Sequence, residues 1–156
     1  MQHAMTPHPT THLHRRLLDG LYVDAMVLAD EARHYVEGAS REDGEAMAPI
    51  DRVLLSCESL KVTTRLMHVL AWLLMRKAID AGEIAPAEAL TPARRLGPSS
   101  IVDPDVAGRM PDRARWLIDA SEMLYRRAAM LEAGYANVER PASPARALQL
   151  QLAAGL

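Results

Sequence analysis

Apolar positions recur at helical spacing over three long stretches of this chain and alternate like a strand only near its end. In the first stretch Leu17, Leu21, Ala25, Leu28, Ala32 and Tyr35 fall three or four residues apart. They predict an amphipathic helix over about residues 11–37, with Thr10 or Thr11 as its cap and Gly38 as its stop. A polar run, SREDGEAMAP, leads to the second stretch. There the predicted helix starts near Pro49 or Ile50, where proline suits the first helical turn, and ends at Gly82. At 1.5 Å per residue it is roughly 45 Å long. Its stripe is Cys57, Leu60, Thr64, Met67, Ala71, Leu74 and Ala78, and Leu66, Leu70, Trp72 and Leu73 widen it on one flank. A helix this apolar is the spine of a bundle or half of a dimer interface. Leu60, Thr64, Met67, Trp72 and Leu74 are its expected core or dimer residues.

The third predicted helix covers about residues 112–133, with Leu117, Ala120, Leu124, Ala128 and Leu131 buried and Gly134 as its stop. Before it, residues 83–112 hold five of the ten prolines (Pro86, Pro92, Pro98, Pro104 and Pro111) and support only short turns, at 86–90 and 103–108. Asp103 followed by Pro104 is a good cap and first-turn pair. A loop this long is expected to be functional or partly disordered.

The expected fold is therefore all-α: a three-helix bundle with a long Pro-rich loop before the third helix and a flexible C-terminal tail. Residues 1–10 read as a disordered N-terminus, 11–134 as the bundle domain and 135–156 as the tail. With its second helix apolar on two sides, a lone bundle would expose hydrophobic surface, and a homodimer would cover it.

Composition narrows the function more than it defines it. At 156 residues the chain fits one domain with a real core. Its net charge of -2, from 18 basic and 20 acidic side chains, gives no field to draw a polyanion, so nucleic-acid binding is disfavoured. Sixteen of the basic residues are arginine, the imprint of a high-GC genome. A lone cysteine, Cys57, rules out a disulfide framework and fits a reducing compartment. The N-terminus has no apolar signal region, and the longest apolar run, residues 66–75, is about half what a bilayer needs. A soluble, cytoplasmic protein is expected, with no membrane partner.

No motif for catalysis emerges. Glu31 and His34 form an E-x-x-H on the first helix, but a di-iron bundle needs two such motifs and further carboxylates. His3, His8, His12 and His14 crowd the N-terminus as a His-rich end without a physiological metal. His68 reads as a core-edge or interface residue. Cys57, on the apolar stripe, reads as packing rather than nucleophile. The glycines form no phosphate loop and no nucleophile elbow. Neither enzyme activity nor a cofactor or metal is expected. What remains is surface. Arg94 with Arg95, and Arg126 with Arg127, could grip acidic partners, though charge pairs are by default solvated. Met67 reads as core filler, whereas Met75 and Met123 suit either a core or an adaptable groove. In the tail Leu148, Leu150 and Leu152 alternate with Gln149 and Gln151, a strip that could add to a partner's sheet edge.

Three segments carry a resemblance: LYVDAMVLADEARHYVEG (21–38), SLKVTTRLMHVLAWLLMRKAIDAGEI (59–84) and ARWLIDASEMLYRRAAML (114–131). Together they resemble the alphaproteobacterial family of the regulator of CtrA degradation. The run TTRLMHVLAWLL (63–74) is the most specific part. The resemblance implies an all-helical, dimeric, non-enzymatic adaptor with no catalytic residues to transfer. It implies partners as well: the ClpX unfoldase working with the ClpP protease, a small receiver-domain protein, and a transcriptional-regulator cargo of the cell cycle. The flexible C-terminal region is associated with partner contacts. The alternative is a helical scaffold or polarity protein that binds other proteins without stimulating proteolysis.

Overall fold

The computed structural model describes residues 9–139, with side chains from residue 12 to 136. All of its regular structure is helical: α1 (Pro9–His34), α2 (Ser40–Glu45), α3 (Pro49–Asp80), α4 (Pro104–Gly108) and α5 (Asp112–Glu139). The three long helices α1, α3 and α5 form the expected bundle.

The helix ends follow local chemistry only in part. Ala48 is extended and Pro49 opens α3, as the proline predicts. Gly82 ends it in the left-handed region at φ 76°, while the Glu83 N–H reaches back to the carbonyl of Ala78 at 2.9 Å. The Asp103 carboxylate caps α4 by accepting from the N–H of Asp105 at 2.9 Å. Gly38 and Gly134, in contrast, stop nothing. A widened π-turn over Tyr35–Ala39 carries α1 into α2, and α5 runs on to Glu139.

Cross-helix pairs give the directions. Lys77 meets Asp19, and Arg127 donates to Asp24 at 2.7 Å. Arg113 meets Glu31. So α1 runs antiparallel to both other helices, and α3 and α5 run parallel. Parallel neighbours need a long return. Residues 81–111 supply it as a strap laid antiparallel along the groove between α3 and α5. Its contacts descend α3 in order: Arg94 on Met75, Pro98 on His68, Ser99 and Ser100 on Arg65, Arg109 on Asp51. The two predicted turns lie in the strap, at Pro86–Leu90 and in α4. The strap passes so close to His68 that a Cβ at Gly97 would come within 2.6 Å of the ring, so only glycine fits there.

The core lies where the three helices converge. Ala25, Val69, Leu73 and Ala128 are wholly buried, the two alanines letting neighbours approach. Around them pack Leu18, Leu21, Leu66, Trp72, Leu117 and Leu124. On α1 Leu18 takes the buried place expected of Leu17, which is exposed; the rest of that stripe is buried as predicted.

The face of α3 that enters this core is not the predicted one. Leu55, Glu58, Val62, Arg65, Leu66, Val69, Trp72, Leu73, Arg76 and Ile79 point inward. Cys57, Leu60, Thr64, Met67, Ala71 and Leu74 point outward. At about 100° per residue the two sets are on nearly opposite sides of the helix. The core reading of Leu60, Thr64, Met67 and Leu74 is thus corrected, as is that of Cys57; of the expected core or dimer residues only Trp72 is inside.

Candidate partner-binding surfaces

Along the outside of α3, side chains repeat every seven residues in two rows. Val53, Leu60, Met67 and Leu74 make a large row; Cys57, Thr64, Ala71 and Ala78 make a small one. Leu60 is 68%, Met67 64% and Leu74 53% exposed, far above a core residue. A mean spacing of 3.5 is the seam of a coiled coil, and the large row of one such helix fits over the small row of another. At one end the face widens into a groove of about 540 Å³ beside α2, lined by Val36, Ser40, Arg52, Ser59 and Leu60.

A second apolar surface runs between α1 and α5. Val27, Trp116 and Met123 line a groove of about 480 Å³; Leu17 and Met130 line another of about 330 Å³. Arg127 borders both, held by Asp24. Val27, Trp116, Met123 and Met130 are all exposed, so methionine and tryptophan here meet solvent rather than core. Flexible thioethers beside a broad aromatic ring suit a surface that adapts to its partner.

The third groove, between α3 and α5, is closed by the strap, and a buried cation closes it. Arg65 is 1% exposed. Its guanidinium donates to Ser99 Oγ at 2.8 Å, Ser121 Oγ at 2.6 Å and the Ser100 carbonyl at 3.2 Å. Burial pulls its pKa below the usual arginine value, and the carboxylates of Glu122 and Glu58 oppose that shift. Beside it the Tyr125 hydroxyl donates to the Gly97 carbonyl at 2.7 Å, and His68 Nδ1 lies 2.8 Å from the Pro98 carbonyl. His68 is thus a strap-binding residue at the core edge. The sequence reading missed this clamp. Its signal was an arginine at the edge of the longest apolar run with no acidic neighbour three or four positions away.

The other sequence candidates are spread over the molecule. Arg94 and Arg95 sit on the strap near the carboxyl end of α3. Arg126 pairs with Glu122 at 3.0 Å along α5, and Arg127 is spent on Asp24. Leu148, Leu150 and Leu152 lie outside the described residues, as do His3 and His8. The E-x-x-H splits: Glu31 goes to Arg113, and His34 Nδ1 lies 2.9 Å from the Asp30 carbonyl. Among the described residues no group of three or more His, Cys, Asp or Glu is placed to hold a metal ion. Nor is any described helix long and apolar enough to cross a membrane.

The family described as "Protein of unknown function (DUF1465)" matches residues 10–154. The chain belongs to that family. In three dimensions it is similar to RcdA from Caulobacter crescentus CB15, whose crystal structure superposes with a TM-score of 0.64 at 29% identity. The match covers 76% of this chain and 90% of that one. The resemblance carried by the three helical segments therefore holds for the folded molecule. Among curated proteins none matches.

Proposed function

We propose that this protein is a non-enzymatic adaptor of the RcdA kind, which brings regulatory proteins to the ClpXP protease together with a receiver-domain protein. The observation that carries the reading is the likeness to RcdA over three quarters of the chain at 29% identity. The surface supports it. An adaptor raises the effective concentration of a substrate at the enzyme and needs separate binding faces, not chemistry. Two apolar faces, outside α3 and between α1 and α5, are set on a rigid bundle.

We assign the outer face of α3 to a second copy of the chain. Its row of large side chains and row of small ones are mutually complementary, and a C₂ pair uses one face twice. The α1–α5 groove is then left for cargo or for the unfoldase assembly. The site of action is the cytoplasm.

The test is capture followed by reconstitution. Tagged protein is recovered from host lysate with ClpP inactivated, and the recovered regulator is then offered to purified ClpXP. Faster degradation in the presence of the protein and the receiver-domain partner supports the reading. Capture without accelerated degradation would replace it with the scaffold role.

A further inference from the structure

The groove between α1 and α5 opens at the end of the bundle where the described chain leaves it. His14 and Gly134 line its near end, and α5 ends shortly after Gly134, at Glu139. From there the groove passes Leu17 and Met130, then Val27 and Met123, and reaches Trp116. These side chains are between 48% and 74% exposed, an apolar strip that nothing among the described residues covers. From Gly134 to Trp116 the strip is about 27 Å long at the rise of a helix.

The sequence after Glu139 fits that strip in length and in pattern. Residues 140–156 lie outside the described residues. In sequence Leu148, Leu150, Leu152, Ala154 and Leu156 take every second position, with Gln149 and Gln151 between the leucines. Extended, residues 148–156 reach about 26 Å, with the leucines on one side and the glutamines on the other. Pro141 and Pro144 come first, where they end a helix and let the chain reverse. The way back from Glu139 to the level of Gly134 is only about 8 Å, well within the reach of residues 140–147. No strand stands among the described residues for such a strip to join. Arg127 and Asp24, paired and half-exposed midway along the groove, offer a donor and an acceptor to an extended backbone. The family match runs to residue 154, so most of the strip lies inside the matched region. A segment tethered this close is present at the groove at an effective concentration of about a millimolar, ahead of any free partner of equal affinity.

We propose that residues 148–156 of the same chain lie extended in the α1–α5 groove, antiparallel to α5, with their leucines inward. A partner that uses the groove must then displace this segment. The proposal stands on the groove and on the chain tethered beside it, and is independent of any delivery to a protease.

A spin label on the full-length protein reads this directly. In a Cys57→Ser background, Gln149→Cys carries the label on the side turned from the groove, and the methionine methyls are isotope-labelled for NMR. The methyl signals of Met123 and Met130 should lose most of their intensity, and that of Met67, outside α3, should keep it. A mixture of spin-labelled protein without isotope and isotope-labelled protein without spin label should show no loss. Leu148→Gln with Leu150→Gln and Leu152→Gln should restore the signals and leave the helix content unchanged. That variant should also bind an added peptide of residues 145–156 about tenfold more tightly than the wild type does, because its groove is no longer occupied. Undiminished Met123 and Met130 signals, or equal peptide binding by the two proteins, overturns the proposal. So does a loss that appears in the mixture as well, which would give the groove to the segment of a second copy.

Discussion

The inner face of α3 carries three charged side chains and its outer face none, yet it is the inner one that is buried. The inner face takes Arg65, Glu58 and Arg76 into the bundle along with Val69 and Leu73. The outer face leaves Leu60, Met67 and Leu74 in water. Apolar content does not decide burial here. Partners do: Arg65 is inside because Ser99, Ser100 and Ser121 accept from it, and Glu58 because Lys61 reaches it at 2.7 Å. The outer face shows the converse, a regular apolar seam that nothing among the described residues covers. The packed contacts of the helix are thus on one side, and its exposed apolar surface is on the other.

Truncating the inner face should cost most. Leu73→Ala removes a wholly buried side chain at the point of convergence and should lower stability by about 3 kcal/mol. Urea unfolding monitored by circular dichroism measures this. A loss below about 1 kcal/mol, the range of peripheral sites, would break the comparison. Arg65→Ala comes next, at about 2 kcal/mol, because it strips charge-assisted hydrogen bonds and leaves Ser121 buried without this donor. Its distinguishing mark is local: amides of the strap near residues 97–102 should exchange faster than those of α1.

The buried side should also respond to base. Burial, aided by the Asp43 carboxylate that accepts from the Tyr35 hydroxyl at 2.8 Å, raises the Tyr35 pKa above the usual tyrosine value. Burial raises Tyr125 as well. The folded state then holds protons that the unfolded chain releases near pH 10, so the contribution is complete below about pH 10 and falls as pH climbs above it. A urea midpoint that drops between pH 9 and pH 11, and drops less in Tyr35→Phe, is the expected result.

The smallest thermodynamic effect belongs to the outer face. Met67→Glu should change monomer stability by no more than about 0.5 kcal/mol. On the pairing proposed for this face, sedimentation should nevertheless show the wild type as a dimer and Met67→Glu as a monomer at the same concentration. If Met67→Glu instead destabilises as much as Leu73→Ala, the outer face belongs to the fold and the contrast disappears.

Much of the fold was legible in the chain. The three helices stand where 3.6-residue periodicity put them, Pro49 and Gly82 bound α3 as expected, and Asp103 caps α4. Two glycine stops failed, at Gly38 and Gly134. A helical glycine costs only about 1 kcal/mol, which continued packing offsets, as where Tyr135 meets Trp72 and Arg76. The stripe on α3 was misplaced for a different reason. A seam repeating every seven residues is the cleanest pattern on the helix. The buried face, covered by α1, α5 and the strap together, is too broad and too mixed with charge to read as a stripe. Of the surface candidates, Arg94 and Arg95 were visible as a pair, but their separate carboxylates, Glu88 and Glu132, were not.

By itself, then, the sequence determined what depends on neighbours a few positions away: helical identity, most helix ends, the strand-free core composition and the break of residues 83–112. Only the tertiary structure decided what depends on residues far apart in the chain. Arg65 holds the strap through acceptors 34 and 35 residues away and α5 through one 56 away, and no local pattern encodes such distances. The same packing turned one apolar face of α3 inward and left the other exposed.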